Sequence, residues 1–186
     1  MMEELDMHIL DLVQNAFTAG AKTVEIACIC QDNQMTLRVA DDGVGMDEEV
    51  LRAVEEGFFS TKSKRSVGLG IPFLRQTAEQ CDGSFAIDST PGHGTTVTAS
   101  FRQDHIDLPP FGDLSGVFLS ILATSEGRRI VIDYRCGRKE LSIDTAELTE
   151  ILGGVPINHP KVVAFLKDYI AERLGGDDET RGSTQD

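Results

Sequence analysis

A chain of 186 residues, 40% hydrophobic and 26% charged, has the composition of an ordinary globular protein. It is long enough for one well-cored domain, or for one domain and a small addition. The formal net charge of -14 argues against a phosphate backbone as the main partner, because nothing offsets repulsion from a polyanion.

The start, MMEELDMHIL, has neither a basic region nor a long apolar run, and no later stretch approaches membrane-spanning length. Neither a signal peptide nor a membrane partner is expected, and the cytoplasm is the expected compartment. Cys28, Cys30, Cys81 and Cys136 form no CxxC pair. Cys28 and Cys30 extend the apolar face of Val24 and Ile26, so all four are expected as free thiols in a reducing compartment.

Leu5, Ile9, Leu12, Val13 and Phe17 recur at helical spacing, which predicts an amphipathic helix over 3–19 closed by Gly20. Strands follow at Thr23–Cys30 and Met35–Ala40 around the polar turn QDNQ. DDGVGMDEE is a turn into a short helix, Glu48–Glu55, with Asp47 as its N-cap. The basic loop FFSTKSKRSVGLG then enters a helix ending near Cys81, with Pro72 in its first turn. Ser84–Asp88 and Thr95–Arg102 alternate as strands around the turn TPGHG.

Residues 1–103 thus read as an α/β domain, helices layered on a largely antiparallel sheet. Residues 104–112, with Pro109 and Pro110, break all periodicity and read as a linker. Residues 113–174 read as a small α+β region: a helix to Ala123, a hairpin turning at Cys136 and Gly137, and helices at Asp144–Leu152 and Pro160–Leu174. That region is too small to hold much core alone, so it is expected to pack on the first domain or on a partner. Residues 175–186 are polar and expected to be disordered.

Three features are able to carry chemistry. Asp11 and Asn15 lie one turn apart on the helix face opposite its apolar stripe. Alone they fit a solvated face; with a cation or water between them, Asn offers a hard carbonyl oxygen and Asp can orient the water. Asp41 opens D-x-G-x-G directly after a strand. That is an ordinary turn signal, yet two glycines also let the backbone lie flat against a planar ligand while the acid accepts from an exocyclic amine. Lys62, Lys64 and Arg65 precede Gly68-Leu69-Gly70 at a helix start. Such a loop is either a solvated surface or a phosphate cradle of exposed amides and a mobile charge. It is not a P-loop, since GxxxxGK[ST] is absent.

In order, DLVQNAFTAGA, DDGVGM, FFSTK, SVGLGI and GHGTT resemble the N box, first glycine box, F box, second glycine box and closing motif of the GHKL family. That family comprises ATP-binding domains of gyrase B subunits, heat-shock chaperones, histidine kinases and mismatch-repair ATPases. The resemblance spans about Leu5 to Phe101. It implies a two-layer α/β sandwich, a mixed, largely antiparallel sheet covered by helices on one face. It also implies that Asn15 ligates Mg²⁺ on the ATP phosphates and that Asp41 bonds the adenine amino group. Gly43 and Gly45 would shape the adenine pocket, Lys62, Gly68, Leu69 and Gly70 would contact phosphates as a lid, and Thr95 would complete the network around adenine.

The pattern also departs from the family's. Asp11 stands where hydrolytic members carry Glu, Thr18 where histidine kinases carry Lys, and Ser66 where kinases carry a leading glycine. The motifs begin at the first residues, and His8, His93, His105 and His159 lack a phosphoacceptor setting, so self-phosphorylation is not expected. The resemblance implies a stand-alone, histidine-kinase-like ATPase: an Mg-ATP regulatory protein that phosphorylates a separate protein or works as an ATPase switch with Asp11 as its catalytic residue. A nucleotide-sensing, anti-sigma-like module that sequesters a partner without turnover is the alternative.

Overall fold

In the computed structural model, residues 4–55 and 70–175 are described. The first helical stripe forms α1 (Leu5–Thr18), followed by strands β1 (Thr23–Gln31) and β2 (Gln34–Asp41). The short helix is α2 (Glu48–Glu55), with the Asp47 carboxylate accepting from the Val50 amide at 2.9 Å as expected of an N-cap. Next come α3 (Gly70–Gln80), β3 (Phe85–Thr90) and β4 (Gly94–Arg102). The chain closes with α4 (Leu114–Ala123), β5 (Arg129–Cys136), β6 (Lys139–Asp144), α5 (Thr145–Leu152) and α6 (Pro160–Leu174). Lys62, Gly68 and Leu69, with the FFSTK motif, lie outside the described residues.

The strands form one six-stranded sheet in the order β3-β4-β2-β1-β5-β6. Its pairings are antiparallel except for β1 with β5, which run parallel. This is the mixed, largely antiparallel sheet that the resemblance implies, with β5 and β6, from the region read as a small addition, continuing the same sheet. Period-two alternation sends Val24, Ile26 and Cys28 to one face, with Met35, Leu37 and Val39 beside them and Val97, Ala99 and Phe101 beyond. Ile130, Ile132, Tyr134, Leu141 and Ile143 continue the same buried layer across β5 and β6. Helices α1, α3 and α6 pack on the sheet, and α4 packs against α1 and α6.

Residues 113–174 therefore lie against the first hundred rather than apart from them. The segment 103–112 runs back over the start of α1: the Leu5 amide donates to Pro110 O at 3.0 Å and the Asp6 amide to Phe111 O at 3.1 Å. Buried Asp6 accepts from the Asp113 amide at 2.7 Å. Two of the amides that a helix start leaves without intrahelical partners are satisfied in this way.

One expectation is corrected. Cys30 and Cys136 are joined in a disulfide, while Cys28 and Cys81 are free and buried. The parallel register sets Ile29 opposite Arg135, so the next residues, Cys30 and Cys136, stand side by side with Cα atoms 4.6 Å apart. A sequence separation of 106 hides that neighbourhood from any spacing rule. The Cys28 thiol is pushed up to about 12 by burial, which leaves it unreactive near neutrality. Unfolding the unreduced protein should expose two thiols to a thiol-specific reagent, and prior reduction should raise the count to four. Four thiols without reduction would remove the cross-link.

His8 is enclosed on α1, and burial pushes its pKa below 6.5, against the opposing effects of the Gly70 backbone and Asp6. The unfolded chain then binds more protons than the folded one once pH falls below 6.5. Stability is present above that value and declines as pH falls toward the lower folded pKa. His8→Leu should flatten this decline, removing up to about 1.4 kcal/mol per pH unit from the slope of unfolding free energy. Parallel slopes for both proteins in urea titrations between about pH 7.5 and 5 would place the dependence on other groups.

Candidate functional site

On β2, β4 and β3 the buried layer ends one rung before the sheet does. Ile26, Val39, Val97 and Ile87 form an apolar row across four strands. Two residues further on, the same face carries Val24, Asp41, Thr95 and Ser89 in register. Directly paired residues point to the same side of a sheet, so Asp41, Thr95 and Ser89 stand together beyond the apolar layer. Asp41 and Thr95 are half-buried.

The D-x-G-x-G turn leaves this rung and is tied on three sides. Asp41 Oδ1 accepts from the Gly43 amide at 2.8 Å. The Val44 amide donates to Ala19 O at the end of α1 at 3.0 Å, and Val44 O accepts from the Gly92 amide at 2.8 Å. Asp42, which motif spacing does not single out, caps the start of β1: its Oδ1 accepts from the amides of Lys22 at 2.7 Å and Thr23 at 2.8 Å. Such approaches need glycine. A Cβ on Gly43 would meet Ala19 Cβ at 2.9 Å, and one on Gly45, at φ +65, would overlap Thr90 O. Gly94, at φ +86, lies equally close against Asp41 O.

Ser89 is the other residue that spacing leaves unmarked. Its hydroxyl accepts from the Met46 amide at 2.9 Å, lies 3.0 Å from Gly94 O, and lies 2.8 Å from Thr95 Oγ1. One edge-strand side chain thereby connects the glycine turn, the closing turn and Thr95. Only its place directly before TPGHG, in Asp88-Ser89, marks it in the sequence.

On α1, Asn15 Nδ2 donates to Asp11 Oδ2 at 3.3 Å, joining the two polar residues one turn apart. That bond uses the amide nitrogen of Asn15 and leaves its carbonyl oxygen for another partner. Helix α3 begins directly against the acid, since a Cβ on Gly70 would overlap the Asp11 carboxylate. Burial raises the Asp11 pKa, with the Asn15 bond pulling it down. Burial likewise raises that of Asp41, opposed by the Gly43 and Thr95 amides and helped by Asp42. Asp42 loses some solvation, yet the Thr23 and Lys22 amides hold it below the usual carboxylate range.

Asn15, with its spare carbonyl oxygen, has the hard donor that Mg²⁺ takes when most of its remaining ligands are phosphate and water. Gly43 and Gly45 hold the turn close against Ala19 and Thr90, with the Asp41 carboxylate as an acceptor at its start. The expected residues Asp11, Asn15 and Gly70 meet in one cluster, and Asp41, Gly43, Gly45 and Thr95 in another. The end of α1 joins them through Ala19.

Residues 3–105 match the family model described as histidine kinase-, DNA gyrase B-, and HSP90-like ATPase. Among similar proteins, the sensor histidine kinase YkoH of Bacillus subtilis is 27% identical over 108 residues, covering 55% of this chain and 24% of that protein. The sensor histidine kinase ZraS of Klebsiella oxytoca is 35% identical over 100 residues, covering 52% and 21%. A crystal structure of full-length ShkA in complex with AMPPNP aligns with a TM-score of 0.41 at 18% identity, over 51% of this chain and 20% of that one. The chain thus spans about a quarter or less of the length of these relatives. Among the described residues, no helix is long and apolar enough to cross a membrane.

Gly94 and Gly92 provide a matched test of the turn. Both have positive φ, but a Cβ on Gly92 meets nothing within 4 Å. Gly92→Ala should cost about 1–2 kcal/mol for the left-handed backbone alone. Gly94→Ala, which also collides with the Asp41 carbonyl, should cost at least about 3 kcal/mol. Equal losses in chemical denaturation would mean that the Asp41–Gly94 approach is not tight.

Proposed function

The chain belongs to the histidine kinase-, DNA gyrase B- and HSP90-like ATPase family and carries its ATP-binding domain; from that premise we propose that it is an Mg-ATP-driven regulatory switch acting on a separate protein. The observation that supports this reading is the position of Asp11. Its carboxylate is bonded to Asn15 and lies against Gly70, the first residue of α3. An acid so placed senses both the metal ligand and the helix that follows the basic loop. Chemistry at the phosphates and the seating of α3 are then linked through one side chain.

In this reading Mg²⁺ and ATP supply the electrophile and most of the charge neutralisation. Asn15 would hold the metal through its carbonyl oxygen. Asp11, made more basic by burial, accepts hydrogen from the attacking water and orients it. Asp41 accepts from the adenine amino group, with Gly43 and Gly45 bringing the turn flat against the ring. Thr95 completes that polar edge. Lys62, Gly68, Leu69 and Gly70 contact phosphates, and the cytoplasm is the working compartment.

Transfer of the phosphoryl group to a partner is the second reading, favoured by the histidine kinase relatives. Three of the four described histidines are enclosed or engaged, and the fourth, His93, is exposed in the turn between β3 and β4. His8 is buried on α1, His159 Nδ1 caps α6 by accepting from the Lys161 amide, and His105 Nδ1 accepts from the Asp107 amide. An anti-sigma-like module that sequesters its partner without turnover is the remaining alternative.

Asp11→Asn separates these readings from simple binding. Phosphate release by the variant should fall at least about 100-fold, with ATP affinity within about threefold of the unaltered protein. Unchanged turnover would take Asp11 out of the mechanism. Turnover absent from both proteins, with ATP still bound, would remove the hydrolytic switch and leave transfer to a partner and the sequestering module. Lys62→Ala and Asp41→Ala should weaken ATP binding under every reading.

A further inference from the structure

The Ser89 hydroxyl has one proton and two lone pairs, and its surroundings use all three. The Met46 amide can only donate, so it takes one lone pair. Gly94 O can only accept, so it takes the proton. Only the second lone pair is left for Thr95 Oγ1, 2.8 Å away, and Thr95 must therefore be the donor in that contact. With its single proton committed to Ser89, the Thr95 hydroxyl presents nothing but lone pairs elsewhere.

We propose that Ser89 is a positioning residue for base selection: it fixes the Thr95 proton so that Thr95 and Asp41 face the ligand as two acceptors on one rung. This rests on the nucleotide-binding reading above. A 6-amino purine offers hydrogens to such an edge, whereas a 6-oxo purine offers an acceptor and meets repulsion. A water that gives one hydrogen to Asp41 and one to Thr95 has only lone pairs left for the base, so bridging solvent keeps the same polarity. Ser89 also holds the Met46 amide, so the hydroxyl that sets the polarity sets the position of the glycine turn as well.

Removing the hydroxyl frees the Thr95 rotor, which can then turn a proton toward a 6-oxo group. The preference for amino over oxo should shrink, while a general loosening of the turn would weaken both nucleotides alike. A site whose buried polar groups match a ligand rejects the mismatched analogue strongly, so the change is measurable.

The test is calorimetric titration of the full chain with Mg-ATP and Mg-ITP, which differ at the 6-position and its linked ring proton. The unaltered protein should prefer ATP, Ser89→Ala should narrow the ITP/ATP ratio of dissociation constants about tenfold or more, and Ser89→Thr should retain the original ratio. Equal weakening of both nucleotides in Ser89→Ala, or the same narrowing in Ser89→Thr, overturns the proposal. If Ser89→Ala gives no cooperative melt, Thr95→Val reads the same ratio: narrowing supports the acceptor role and an unchanged ratio overturns it. An unaltered protein that binds neither nucleotide overturns the nucleotide-binding reading and, with it, this inference. Failure of the variants alone leaves that reading standing.

Discussion

The register of β2 against β4 is the constraint on which the rest depends. Asp41 stands opposite Thr95 because Met35, Leu37 and Val39 stand opposite Phe101, Ala99 and Val97. A slip of one residue would turn Asp41 to the outer face and bury Arg38, now a paired surface cation, unpaired among the core positions that Leu37 and Val39 hold. Three apolar rungs thus hold in register a polar one that the core does not itself need. The cost of misplacing six buried side chains falls on any pairing that would misplace the site.

From that rung the site grows by backbone approach rather than by side-chain contact. Gly43 lies on Ala19, Gly45 on Thr90 O, and Gly94 on Asp41 O. Each approach links elements far apart in the chain: the end of α1, the turn after β2, and the turn between β3 and β4. Hydrogen bonds from Val44 to Ala19 and from Gly92 to Val44 then convert proximity into a fixed arrangement. This explains why the motif spends glycines where a turn alone would need fewer, and why Asp42 is more than a second acid in DDG.

Much of this was legible in the sequence, for local reasons. Helical and alternating periodicities place α1, β2, β4 and α6 to within about two residues, because each element carries its own pattern. The D-x-G-x-G turn and the pair Asp11 and Asn15 are legible for the same reason. Parallel pairing of β1 with β5 is not, because the strands are joined through most of the molecule and neither carries a sign of its neighbour. The Cys30–Cys136 bond depends wholly on that pairing, so it was hidden with it. Ser89 escaped for a different reason: a serine on an edge strand has no distinguishing spacing, and its importance arises only when three partners converge on one oxygen.

The two ends of the sheet divide the work. At one end lie Asp41 and Thr95; at the other, about 20 Å away by strand rise, Cys30 is bonded to Cys136 and Met35 pairs with Phe101. The covalent tie joins β1 to β5 and so fixes the C-terminal hairpin to the strand that also borders β2. Segment 103–112 adds a second tie, over the start of α1, through Asp6 and the Pro110 and Phe111 carbonyls. Both restraints act away from Asp11 and Gly70, where α3 meets α1. In the proposed switch the α1–α3 contact is the part that would respond to ligand, while α1 keeps its seat on the sheet and the Asp41 rung keeps its register. A switch needs such a division, since a moving element transmits force only against one that holds still.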